Sequence, residues 1–267
     1  PKVPAATQEK MREYYGLDEP LHKQYLTYMS NLFHGDLGYS LRTQGRTVNE
    51  IISTAFPFSI DLGVRALLFA VIVGLLLGIV AALNQNGFLD HLSIAIAVIG
   101  ISIPSFIIAS VLQYLLSVKL GILPVALWGD FKSTILPTFA LGIGSVATIA
   151  RLMRTSMLEV TGEDFIKTAK AKGLSKGEIT MKHQLRNSLL PVITVMGPLV
   201  ATLLTGTFVI ENIFAIPGLG RHYVISIQTL DYPLILGMTI VYSVFLVLMQ
   251  VVVDLVYGLV DPRIKMK

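Results

Sequence analysis

Apolar and polar positions alternate along this chain on the scale of whole segments. From Ala66 to Val118, 53 residues contain a single formally charged side chain, Asp90, where about 7 would be expected at the chain's average charge density. The polar stretch Asn84-Gln85-Asn86-Gly87 divides this run once. Each half is close to the ~20 residues that a helix needs to cross ~30 Å of hydrocarbon, so the pattern predicts two membrane-spanning helices joined by a short turn. Further apolar stretches extend the series to five spans, at Ser59 to Leu83, Leu92 to Val118, Ser133 to Ala150, Leu189 to Ile210 and Leu234 to Val260. The expected fold class is all-α, a polytopic transmembrane helix bundle.

The basic residues orient the bundle. Arg151 to Ser188 holds eight basic residues (Arg151, Arg154, Lys167, Lys170, Lys172, Lys176, Lys182 and Arg186) against four acidic ones, which assigns it to the cytoplasm by the positive-inside rule. Counting crossings from there puts Asn84 to His91 inside, with Asp90 as a cytoplasmic turn residue. Lys119 to Lys132 and Glu211 to Pro233 lie outside, and the basic tail Arg263 to Lys267 lies inside. Residues 1–58 then form an extracytoplasmic segment ahead of a membrane domain of residues 59–267, whose cytoplasmic loop is residues 151–188. An external segment of that length implies a further apolar span upstream of Pro1.

Composition narrows the function classes. The chain is 53% apolar and 14% charged, against roughly 45–50% and 25% for soluble domains, which excludes disorder. Cysteine is absent, removing disulfides and thiolate metal sites. The net charge of +4 is accounted for by the cytoplasmic loops, so the expected surroundings are a lipid bilayer and no nucleic acid. No G-x-x-x-x-G-K-[ST] phosphate loop occurs. The five histidines have neither i, i+4 spacing nor an H-E-x-x-H pattern, so no metal site is expected, and no span carries a histidine to serve as the base of an intramembrane hydrolase.

Backbone breakers recur within the spans: Pro104, Pro137, Pro191 and Pro198, with Gly100, Gly142, Gly144, Gly197 and Gly206. Hydroxyls at Ser102, Ser105, Thr138, Thr202 and Thr205 are close enough in sequence to satisfy freed carbonyls. Two readings stand for this set, small-residue helix packing and a polar path through the bundle. The path candidates are Ser102, Pro104, Pro137, Gly197, Thr202 and Thr205. Asp61 and Arg65, four residues apart, are placed to pair, and Asp254 is within reach of the cytoplasmic interface.

In the basic loop, Thr161-Gly162-Glu163-Asp164 fits a capping box and predicts a helix from Glu163 to Lys172, ended by a left-handed Gly173. Ser175-Lys176-Gly177-Glu178 repeats the box and starts a second helix that runs through Ile179, His183 and Asn187 toward Pro191. The first helix carries Phe165, Ile166 and Ala169 on one side and lysines on others. Such an element suits either the headgroup plane or a groove on a partner protein.

This loop, with Arg151 to Val160, Asp164 to Leu174 and His183 to Pro191, resembles permease subunits of bacterial ABC importers, more narrowly the dipeptide, oligopeptide and nickel branch. The resemblance continues in Gly100 to Phe106, Leu136-Pro137, Glu211 to Arg221, Asp231 to Pro233 and Asp261 to Arg263, and covers the chain from about Leu17 onward. It identifies the loop with the family's EAA motif, whose Gly corresponds to Gly173. The motif's acidic position and first Ala are Lys167 and Thr168 here, with Ala169 kept.

The resemblance implies a type I ABC importer permease fold of six spans. It makes the first loop helix a coupling helix seated on a cytoplasmic ATPase subunit, with Glu163, Asp164, Phe165, Ile166, Thr168, Ala169, Lys170, Ala171 and Gly173 as coupling residues. A second homologous permease, two cytoplasmic ATP-binding subunits and an extracytoplasmic substrate-binding protein would complete the importer. ATP and Mg would be bound by those ATPase subunits, with no cofactor and no enzymatic activity in this chain. Short peptides are the expected cargo, with nickel or glutathione as alternatives within the family. An ion-coupled secondary transporter is the competitor from another class, but midplane carboxylates and an inverted repeat, its usual marks, are not evident.

Overall fold

The computed structural model describes residues 5–43, 45–204 and 208–260. Two short helices, α1 (Ala5–Tyr15) and α2 (Leu21–Phe33), precede the long α3 (Val48–Leu83), followed by α4 (Phe88–Ser102) and α5 (Ser105–Leu112), which continues as a π-helical stretch to Lys119. Next come α6 (Phe131–Thr161), the short α7 (Asp164–Ala171) and α8 (Lys176–Glu178), the last running through a π-helical turn, Ile179–Gln184, into α9 (Leu185–Leu204). The described residues close with α10 (Phe208–Ile213), α11 (Leu219–Thr229) and α12 (Tyr232–Val260). Among the described residues a lone antiparallel bridge, Tyr39 to Thr47, is the extent of β pairing.

Four of these helical runs, starting at Val48, Phe131, Lys176 and Tyr232, are long and apolar enough to cross a bilayer. A fifth crossing results if α4 and α5, bent by 104° relative to each other, form one broken span. The predicted span Leu92 to Val118 is thus interrupted rather than continuous. Pro104 has no N–H to donate and its ring disfavours helical geometry in the residue before it, and Ile103 accordingly adopts φ −97°, ψ 124°.

Two predicted boundaries also move. Helix α3 begins at Val48, eleven residues before Ser59, because Thr47 and Glu50 form a reciprocal capping box there; the last part of residues 1–58 is therefore helical and continuous with the span. Helix α6 continues through Thr161 because Met153 and Met157 are buried against its neighbours, so the first eleven residues of the basic loop are helix.

The bundle is built around α3 and α6. In lipid the association of helices depends on close packing rather than on hydrophobic burial, and α3 presents Ala66, Ala70, Gly74, Gly78 and Ala81, all buried. A Cβ on Gly74 would lie 2.8 Å from Ile149 Cβ, and one on Gly78 would lie 2.6 Å from the Ala150 carbonyl oxygen and 2.7 Å from Met153 Cβ. These backbones touch, and a side chain at either glycine would force them apart. The same device operates between α4 and α6, where a Cβ on Gly100 would lie 3.1 Å from the Ile143 carbonyl oxygen and 3.2 Å from Ala147 Cβ, so packing is the role observed for Gly100.

Candidate functional site

The helix singled out in the basic loop forms as α7, but its start differs from the capping-box expectation. Thr161 is the last residue of α6, and its hydroxyl donates back to the Met157 carbonyl at 2.6 Å. The cap position is Glu163, which makes no side-chain capping bond. A helix already in progress through Thr161 leaves that hydroxyl no extended backbone from which to cap a new one. Asp164 in the first turn and Lys170 in the last suit the helix dipole, and Lys167 reaches Asp164 at 2.8 Å.

The far end of α7 follows the sequence reading closely. Gly173 has φ +78°, its N–H donates to the Lys170 carbonyl at 3.0 Å, and the Leu174 N–H donates to the Ala169 carbonyl at 3.3 Å. These are the paired bonds of a Schellman motif, and Leu174 packs on the cluster beneath the helix. The second box also forms: the Glu178 N–H donates to Ser175 Oγ at 3.3 Å and the Ser175 N–H to Glu178 Oε2 at 3.2 Å. The π-helical turn that follows places Gln184 so that its amide donates to Thr161 Oγ1 at 2.9 Å while Thr180 donates to its oxygen at 2.8 Å. The end of α6 and the start of α9 are thereby tied together directly under α7.

That arrangement corrects the expected apolar face. Ile166 and Ala169 are buried with Ile179, against Val160 and Leu174 of the same chain, and cannot enter a groove elsewhere. Phe165, one position around the helix, remains 41% exposed. Glu163, Asp164, Thr168, Lys170, Ala171 and Gly173 are also exposed. The outward surface of α7 is one aromatic ring among charged and small residues, on a helix bolted to two spans.

The path candidates do not share one environment. Ser102, Pro104 and Thr202 are exposed, whereas Pro137 and Gly197 are buried, and Thr205 lies outside the described residues, as do Gly206, the tail from Asp261 and the side chain of Asp254. Thr202 donates to the Pro198 carbonyl at 2.8 Å, not to the carbonyl that Pro198 frees. The Thr138 hydroxyl is buried without a hydrogen-bond partner among the described residues, so it does not serve as a backbone satisfier there either. Asp61 and Arg65 pair at 2.8 Å as their spacing predicts.

Three polar features escaped the sequence reading. Asp90, read as a turn residue, is buried and receives the Arg154 guanidinium through two bonds of 2.5 and 2.8 Å, joining the first turn of α4 to α6. Its isolation in an uncharged run was the available signal, because a lone buried carboxylate requires a cation. Glu211 is fully buried. It accepts from Ser59 Oγ at 2.7 Å and from the Arg221 N–H at 3.1 Å, while Ser59 Oγ accepts from the Leu219 N–H at 2.8 Å. The first amides of α11, which have no partner within their own helix, are satisfied in this way. A Cβ on Gly218 would lie 2.5 Å from the Glu211 carboxylate, which accounts for glycine in Pro217-Gly218-Leu219-Gly220. Asp231 is likewise buried and accepts from Ser40 Oγ at 2.5 Å and the Leu41 N–H at 3.0 Å, pinning the N-terminal segment to the start of α12.

Comparison with known proteins agrees with this architecture. Residues 74–266 match the family described as binding-protein-dependent transport system inner membrane component. The chain is 51% identical over 261 residues to the dipeptide transport system permease protein DppB of Bacillus subtilis, covering 98% of this chain and 85% of that one. It is 45% identical over 253 residues to the oligopeptide transport system permease protein OppB of Haemophilus influenzae, covering 94% and 83%. Among solved structures, a chain of the MetNI methionine ABC transporter in an inward-facing conformation superposes with a TM-score of 0.64 at 19% identity, covering 79% of this chain and 96% of that one, a likeness of fold. The chain is a multi-pass membrane protein and belongs to the family of binding-protein-dependent transport system inner membrane components.

Proposed function

We propose that this chain is one permease half of an ATP-driven importer of short peptides, paired in the membrane with a second, related permease. The cargo reading rests on the dipeptide and oligopeptide permeases to which the chain is similar over nearly its whole length. Two cytoplasmic ATPase subunits supply the energy, binding ATP and Mg, and an extracytoplasmic binding protein delivers the substrate. The basic-loop side faces the cytoplasm, in keeping with the positive-inside rule.

The observation that carries the mechanical part of the proposal is the mounting of α7. A helix closed by a Schellman motif, packed through Ile166 and Ala169 on its own chain and tied through Gln184 and Thr161 to two spans, moves as a rigid body with those spans. Phe165 is the ring that enters the ATPase subunit, and the surrounding lysines meet its acidic rim. A push on α7 is then a push on α6 and α9 together.

Reconstitution of the four-subunit importer with its binding protein in proteoliposomes tests this. Phe165→Asp is expected to remove ATP-dependent uptake of labelled dipeptide and binding-protein stimulation of ATP hydrolysis, with membrane insertion intact. Unimpaired uptake in this variant would defeat the assignment of α7. Uptake of labelled nickel in place of peptide would move the cargo to the other members of the branch, and flux that persists without ATPase subunits would favour an ion-coupled carrier.

A further inference from the structure

A cleft of about 380 Å³ lies between α3, α4 and α6 at the basic-loop end of the bundle. Its walls are apolar, with Ala81 from α3 and Ala97 from α4, and its mouth is formed by Ile94 and Val98, which are 39% and 49% exposed. The polar lining consists of the buried Ser93 of α4 with Arg151 and Arg154 of α6. The two cations differ in their state. Arg154 is half-buried and held by Asp90, whereas Arg151 is exposed and has no carboxylate partner among the described residues. The carboxylate compensates one charge, and the cleft keeps one in excess.

Along α4 the apolar strip of Ile94 and Val98 continues away from this cation to Ile101, which lies on the same side of the helix and is exposed. A cation at the head of an apolar groove, at the level where a span meets the basic side of the membrane, matches an amphiphile with an anionic head and hydrocarbon tails. Basic pockets of this kind between transmembrane helices recognise acidic lipid headgroups, and long basic side chains at span ends reach for the interface. We propose that the α3–α4–α6 cleft seats an anionic phospholipid, its phosphate on Arg151 and an acyl chain along Ile94 and Val98. The proposal is independent of what the transporter carries.

The test uses the whole importer complex, delipidated and returned to phosphatidylcholine nanodiscs, then titrated with phosphatidylglycerol and analysed by native mass spectrometry for retained lipid. Wild type is expected to hold phosphatidylglycerol in preference to phosphatidylcholine. Arg151→Gln should weaken this retention by at least about five-fold, the factor one basic residue near a headgroup plane carries. Val98→Trp narrows the mouth while keeping both arginines and lies at a half-exposed position that tolerates bulk; it should produce a comparable loss. Lys176→Gln, the same charge change at an exposed residue away from the cleft, should leave retention unchanged.

Equal losses for Lys176→Gln and Arg151→Gln would overturn the proposal in favour of diffuse surface attraction. Retention unaffected by Val98→Trp would place the lipid elsewhere. Displacement of the lipid by millimolar inorganic phosphate would make this a free-anion site. Displacement by a short peptide with a free carboxylate would make it part of the cargo route, and the absence of any selective retention by wild type would overturn the proposal outright.

Discussion

The ion pair between Asp90 and Arg154 gives the sharpest energetic prediction. Asp90 is 1% exposed and receives two charge-assisted bonds from Arg154 as well as the Asn86 N–H at 2.8 Å. At an effective dielectric of ~20 and a charge separation of ~4 Å the attraction is about 4 kcal/mol, and desolvation of both groups offsets much of it. Removing one partner is a different matter, because the survivor is left as an uncompensated charge. For buried pairs this costs about 3–5 kcal/mol. Arg154→Met should therefore destabilise the chain by about 4 kcal/mol, since it strands a buried carboxylate. Asp90→Asn should cost less, about 2 kcal/mol, because the amide oxygen still accepts from Asn86 and the half-buried Arg154 can turn toward water. The double variant should be more stable than the sum of the two losses by about 2 kcal/mol, the coupling expected of residues in one network. Reversible unfolding of the purified chain in mixed micelles with increasing SDS measures all four corners of the cycle. Losses that simply add, to within about 0.5 kcal/mol, would refute the argument and mean that water already screens the pair.

Other expectations follow from the backbone contacts. Gly78→Val should destabilise by at least about 3 kcal/mol or prevent folding, because it drives a side chain into the Ala150 carbonyl and Met153; Gly177→Ala, which meets nothing within 4 Å, should change the same SDS midpoint little. Gly173→Ala should cost about 1 kcal/mol through its φ of +78°, and Gly173→Asn less, as read by thermal unfolding of the purified complex. His222 in α11 has its pKa pushed down by burial, with smaller contributions from Arg46 and Arg221, so the fold favours its neutral form. Below its unfolded pKa of ~6.5 the unfolded chain binds the extra proton more readily. Stability should therefore fall as pH drops from ~6.5 toward the lower folded value and be level above it. His222→Gln should flatten this slope in SDS midpoints measured from pH 5 to 7.

The sequence by itself determined the elements whose physics is local. Five apolar runs, the turn at Asn84 to Gly87, the capping box at Ser175 to Glu178 and the left-handed Gly173 were readable because each depends on residues within one or two helical turns of one another. The pairing of Asp61 with Arg65 was legible for the same reason. The long resemblance to importer permeases was legible too, as text, without saying what its residues hold together.

Tertiary structure decided the rest. Whether Thr161 ends one helix or begins another depends on Met153 and Met157 finding a buried surface, which no local pattern states. Which apolar residues of α7 face outward depends on the position of Ile179 and Leu174 beneath it, so that of three candidates Phe165 alone is free. Asp90 and Arg154 are 64 residues apart in sequence, and Ser59 and Glu211 are 152 apart. Such partners are chosen by the close approach of α3, α4 and α6 and by the folding of α10 onto α11. In a bilayer the hydrophobic pattern says only that a helix is inside; which face meets which is settled by the small residues that let backbones touch and by buried charges that must be paired.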